Sequence, residues 1–169
     1  MRSNPLTDKQ KEFKLVSLEL HYIFTTTELG IADLVEEHPH RVAYFEALQI
    51  LVDSDAILLF GSDDPSYTAS KLYPCILAQK PILAIFHQQS SVVEILRHCH
   101  AGRVVTFDSK DNPVDLLNDM NCQLNWLLST PQGYQPEIVW SEFQPYTARE
   151  MTRRQCAIFE RCLNLTKGR

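Results

Sequence analysis

The residues best suited to chemistry lie in Gly61-Ser62-Asp63-Asp64-Pro65-Ser66-Tyr67-Thr68-Ala69-Ser70-Lys71, a hydroxyl-rich run that ends in a lysine. Hydroxyls and backbone N–H groups leading into a helix N-terminus, with a cation at the junction, suit an anion. The competing reading is an ordinary turn whose Ser70 caps the next helix. On the residues alone both stand. Asp63-Asp64 suggests a metal-held diphosphate, but paired acids ahead of a proline are more often turn formers. His87 follows an apolar run, at the strand end where open α/β sheets bind ligands, and is placed to bond a phosphate or sugar oxygen. His38-Pro39-His40 lacks a third ligand nearby in sequence and reads as a solvated loop. His98 and His100 point about 200° apart on a helix and cannot share a metal there. The chain has no Gly-x-Ser-x-Gly elbow, Walker loop or Gly-x-Gly-x-x-Gly run.

The elements around these residues follow from apolar patterning. Ala56 to Phe60 is an unbroken apolar run, as expected for a parallel strand covered on both faces. Leu72 to Gln79 is a short helix broken by Lys80-Pro81, and Ile82 to Phe86 is the next buried strand. Proline is tolerated only in a first helical turn, so Pro74 makes the helix start at Leu72 or Tyr73 and places Ser70 and Lys71 at its N-cap. Ser90 or Ser91 caps a helix over Val92 to Cys99, with Glu94 as the reciprocal capping partner. Both serines stand among the candidate ligand contacts. Ala101-Gly102 closes that helix with a glycine C-cap, and Arg103 to Phe107 is the last clear strand. Asp111-Asn112-Pro113 opens a helix through about Leu128, with Val114, Leu117, Met120, Leu124 and Leu127 on one face. After a Pro- and Gly-containing loop, Trp140, Phe143 and Tyr146 lead into a final helix from about Thr147 to Leu165.

Upstream, the pattern predicts a short helix over Thr7 to Ser17 and a strand over Leu18 to Phe24. A helix capped by Thr26 or Thr27 then runs through Glu37, and a short strand covers Arg41 to Tyr44. An amphipathic helix carrying Phe45, Leu48, Ile50, Leu51 and Val52 follows, closed by Asp53-Ser54-Asp55. The resulting βαβαβαβαβ order predicts one Rossmann-like α/β domain over residues 1–169, a doubly wound parallel sheet of five or six strands.

Gly61 to Tyr73, followed by Lys80-Pro81-Ile82-Leu83-Ala84, resembles the nucleotide-sugar-binding half of B-fold (two-Rossmann) glycosyltransferases. The shared pattern is a small-residue loop, Ser-Lys, a helix, and Lys-Pro before the next strand. The similarity runs from about Leu18 to Thr106 and less clearly through the C-terminal helix. It implies a nucleoside-diphosphate sugar as donor and no further cofactor. Lys71 would be the catalytic cation, with Ser70 and Thr68 as supporting donors around Gly61, Ser62 and Tyr67. It also implies Thr25 and Thr26 near the phosphates and Tyr44 on the wall of the base. Many relatives carry a ribose-binding glutamate where this chain has Pro74, and its partner acid falls on Ser66. A complete B-fold enzyme also has a second Rossmann domain, so the resemblance implies a separate N-terminal domain or subunit, which the C-terminal helix would reach. The alternative is a non-catalytic interaction module that keeps the fold.

Composition sets outer limits. The 169 residues suffice for a core without staples, and 44% hydrophobic with 22% charged residues is ordinary for a globular chain. A net charge of −5 with no basic block argues against general nucleic-acid binding. No apolar run approaches the ~20 residues of a membrane span, and the polar start is no signal peptide. Five cysteines without metal spacing read as free thiols, the expectation for the cytoplasm.

Overall fold

The computed structural model describes residues 15–17, 34–37, 40, 42–67 and 69–167. The chain falls into two compact units, residues 1–47 and 48–169. In the first unit, β1 (Leu15–Ser17) and β2 (Val35–Glu37) form a parallel pair with Leu15 opposite Val35 and Ser17 opposite Glu37. Both segments were expected to be helical. Ladder pairing satisfies their backbone groups, and that outweighs a weak helix propensity. The expected strand at 18–24 lies outside the described residues. The expected strand ending at Tyr44 is replaced by helix α1 (Tyr44–Asp53), whose first turn is closed by Ala47 N–H donating to Ala43 O at 2.9 Å. No residue of α1 is buried, although Leu51 packs against the main core.

The second unit is a mixed α/β layer built on a three-stranded parallel sheet, in the order β3 (Ile57–Phe60), β4 (Ile82–His87), β5 (Arg103–Phe107). Ile57 pairs with Ile82 and Leu83 with Arg103, so the strands start level. Parallel neighbours need crossovers, supplied by α2 (Leu72–Leu77) and α3 (Ser91–His98). The pleat then divides the apolar run. Ile82, Ala84 and Phe86, each at most 1% exposed, join Leu72, Cys75, Ile76, Val92 and Leu96 in the larger core. Leu83 and Val105 face the other way, against Leu127 of α4 (Pro113–Ser129).

Helix α4 is capped by Asn112, whose Oδ1 accepts Val114 N–H at 3.0 Å, with Pro113 at the first helical position. Its buried face differs from the expected one. Leu116, Met120 and Leu127 meet the sheet, whereas Val114 and Leu117 are more than half exposed. The drift of 3.6 residues per turn over 17 residues lets two apolar stripes compete, and contact with β4 and β5 selects one. Beyond it, α5 (Trp140–Phe143) and a 3-10 turn at 144–146 return to the α2–α3 face. There Phe143 is buried and Tyr73 stacks on Tyr146 with centroids 5.8 Å apart, while Trp140 stays half exposed. The last helix, α6 (Ala148–Lys167), presents Met151, Ile158, Phe159 and Leu163 to solvent.

Helix ends explain a further correction. Helix α3 closes on His100, not on Gly102. His100 has φ +51°, its N–H donates to Arg97 O at 3.2 Å, and Ala101 N–H donates to Leu96 O at 3.1 Å. This is a Schellman closure with a histidine where glycine is usual. Gly102 has another task. A Cβ there would lie 2.7 Å from Ile82 Cβ and 2.8 Å from Ile82 O, so only glycine lets β5 begin this close to β4. Among the described residues no helix is long and apolar enough to cross a membrane.

Candidate functional site

The carboxyl ends of β3, β4 and β5 open onto the loops that the sequence singled out. β3 runs into Gly61, whose N–H still donates to Ile85 O at 2.8 Å. Glycine here lets the Phe86 ring lie over the backbone, since an added Cβ would stand 2.8 Å from the ring Cγ. The loop then folds on its own side chains. Ser62 Oγ accepts Asp64 N–H at 3.2 Å, and Asp64 Oδ1 accepts Ser66 N–H at 2.8 Å and Ser66 Oγ–H at 2.7 Å. Tyr67 N–H closes the turn on Asp64 O at 3.1 Å, and its ring stacks on Phe86 at 6.4 Å. The Asp-Pro-Ser segment is therefore a turn held by Asp64, as one reading of the paired acids expected. Hydrogen bonds from Ser66 hold the Asp64 carboxyl below the usual carboxylate range, with a smaller pull from His87.

Ser90 ties this loop to the next one. Its side chain is 3% exposed, donates to Tyr67 O at 3.3 Å and accepts Val92 N–H at 3.3 Å. Ser90 is the N-cap of α3, and Ser91 is the first helical residue. Glu94 is thereby one position too far along for the reciprocal cap, and it faces His98 at 3.9 Å instead.

Helix α2 begins at Leu72, as Pro74 requires, with Lys71 at its N-cap in helical backbone geometry and no side-chain cap bond. Ser70 and Lys71 are both exposed at this junction, and Ser70 is not the capping residue. The positive charge of Lys71 reaches Cys75 one turn on, where burial nonetheless pushes the thiol up to about 11. His87 ends β4, half-buried and edge-on to Phe107 at 5.9 Å, and its Nδ1 accepts Gln89 N–H at 3.2 Å. That bond occupies Nδ1 and leaves Nε2 as the ring's remaining polar atom.

Two residues of this rim, Gln88 and Asp108, were missed from sequence. Gln88 bonds Phe107 O through its N–H at 3.0 Å and Asp108 through its side chain. Asp108 accepts Lys110 N–H at 3.0 Å, and that bond leads in holding its carboxyl below the usual range, with a small pull from His87. Their signal was present, since Phe107-Asp108 ends a strand just as Phe86-His87 does. Thr25, Thr26 and Thr68 lie outside the described residues. Tyr44 is 69% exposed on α1, edge-on to Phe45. The structure thus brings together Gly61, Ser62, Tyr67, Ser90 and His87 on linked loops, with Ser70 and Lys71 heading α2.

Among the described residues this rim offers hydroxyls, the His87 imidazole and the Lys71 ammonium, set against carboxylates of which Asp64 and Asp108 are held below the usual range. It has the means to orient a polar ligand by hydrogen bonds. Among the described residues no group of three His, Cys, Asp or Glu is placed to hold a metal ion. No protein-family model, curated protein or solved structure matches the chain.

Proposed function

We propose that this chain is the donor-binding half of a two-Rossmann glycosyltransferase, holding a nucleoside-diphosphate sugar for transfer to an acceptor carried by a separate domain or subunit. The observation that carries the reading is the built loop at the end of β3. It is fixed internally by Asp64 and externally by Ser90, and it leads to Lys71 at the head of α2. In this role Lys71 stabilises the negative charge that grows on the diphosphate as the glycosidic bond breaks. Ser70 and Thr68 add hydrogen bonds, and His87 Nε2 meets a phosphate or sugar oxygen. The same reading includes a sheet of five or six parallel strands and a cytoplasmic setting. The exposed apolar side chains of α6 are what a partner domain would cover.

One observation favours a second reading, a non-catalytic interaction module. Asp64 and Asp108 are both held ionised on the rim where the diphosphate would bring further negative charge. Calorimetric titration with UDP, GDP and ADP separates the two. Donor binding predicts that one nucleotide binds, weakened about tenfold or more by Lys71→Ala, the scale of one charge-assisted hydrogen bond. No binding by any of the three assigns the chain to the second reading.

A further inference from the structure

The other end of the same sheet carries a cleft of about 380 Å³, opening where β4 and β5 begin. Its lining includes Arg97, His100, Arg103, Trp126 and Tyr134, and among the described residues no carboxylate belongs to it. In a chain of net charge −5 this is a local reversal of sign.

The cationic groups are placed by the fold. Arg103 is the first residue of β5, and its guanidinium lies 4.2 Å from the Trp126 ring centroid. Its Nη1 donates to Gln123 Oε1 at 3.2 Å, and Gln123 Nε2 in turn donates to Asp119 Oδ1 at 3.3 Å. Stacking and hydrogen bonding hold the guanidinium in one plane and leave its remaining N–H groups for a ligand. Arg97 stands in the last turn of α3, and the Schellman closure at His100 turns the chain back toward Gly102 on the cleft floor. Tyr134 reaches the rim through a turn in which Gly133 has φ +80° and Tyr134 N–H donates to Pro131 O at 3.1 Å. Among the described residues neither Arg97 nor Arg103 forms an ion pair, whereas Arg153 and Arg154 both engage Glu150. The nearest acids in sequence, Glu94 and Glu137, are not part of the lining.

We propose that this cleft binds small aromatic phosphate monoesters. Two guanidinium groups match a dianionic phosphate in charge better than they match a single carboxylate. Tyr134 and the rim of Trp126 offer flat apolar surface for the ring. The volume is within the usual range for small-ligand sites. The site is at the opposite end of the strands from Lys71 and does not depend on nucleotide binding there.

The test uses the full chain carrying Trp140→Phe, which leaves Trp126 as the one tryptophan, and follows its indole N–H signal by NMR. Phenyl phosphate should shift that signal saturably, with a dissociation constant of about a millimolar or tighter. Phenol and inorganic phosphate should each bind at least about tenfold more weakly. Arg103→Gln and Arg97→Gln should each weaken phenyl phosphate about tenfold, and Lys71→Ala should leave it unchanged. Arg97 is exposed, so its variant keeps the test valid should Arg103→Gln disturb the fold. No saturable shift up to about 10 mM, or equal affinity in the Arg97 variant, would overturn the proposal. Inorganic phosphate or phenol binding as tightly as phenyl phosphate would overturn it too.

Discussion

The two ends of the three-stranded sheet solve the same problem with opposite chemistry. At the carboxyl ends, loops are stitched by short side chains, Ser62, Asp64, Ser66 and Ser90, and the fixed charges beside His87 are carboxylates. At the amino ends of β4 and β5, the turn at His100 closes through backbone bonds, and the cleft beside it is lined by the guanidinium groups of Arg97 and Arg103. Each end also contains one glycine pressed against β4, Gly61 against the Phe86 ring and Gly102 against Ile82. A side-chain neighbour can give way, while a backbone carbonyl in a parallel ladder cannot. The carboxyl end is therefore the adjustable one.

The largest effect should come from testing that difference directly. Gly102→Ala drives a methyl group into Ile82 O and Cβ, and should cost about 3 kcal/mol, the upper range for overpacking. Gly61→Ala meets the ring of Phe86, Cγ included, and should cost roughly 1–2 kcal/mol as that side chain shifts about χ1. Urea unfolding of both variants gives the comparison. If Gly61→Ala proves the costlier, the carboxyl end is the rigid one and the distinction fails.

Much of this frame was legible in the sequence, and the limits have physical causes. The strands at Ile57, Ile82 and Arg103 followed from unbroken apolar runs, because a sheet covered on both faces shows no alternation. Pro74 fixed the start of α2, since proline has one tolerable place in a helix. The N-caps of α3 and α4 were local signals and were read within a residue. What escaped depended on contacts distant in sequence. Ser90 reaches Tyr67 across 23 residues, and no local rule ties a capping serine to an earlier loop. Arg103 meets Trp126 through the packing of α4, after one of two apolar stripes has been chosen. Val35 joins a ladder because Leu15 is available opposite, which its own neighbours do not reveal. The rim around Lys71 could be outlined from residue types, but its balance of charge could not. Asp108 entered only when β5 was aligned with β4.

Ser90→Ala probes the stitching at the carboxyl end and should have an intermediate effect. Loss of the N-cap alone costs about 1 kcal/mol. The hydroxyl also donates to Tyr67 O, so the 61–71 loop should loosen as well. Amide exchange should then rise at Tyr67, whose N–H closes the turn on Asp64, and leave Ala101 at the opposite end unchanged. Equal acceleration at both ends would mean that Ser90 supports the whole unit rather than one rim.

The smallest effect should be a gain. His100 occupies a left-handed position, φ +51°, that disfavours every side chain with a Cβ. His100→Gly should relieve that strain and raise stability by about 0.5–1 kcal/mol, read as a rise in the urea midpoint at constant slope. The same change removes an imidazole from the wall of the basic cleft while leaving Arg97 and Arg103 in place. A histidine kept there for its backbone alone predicts a more stable chain with phenyl phosphate binding unaltered. A more stable chain with weakened binding would show that strain at this turn is retained for the ligand, which backbone closure alone does not require.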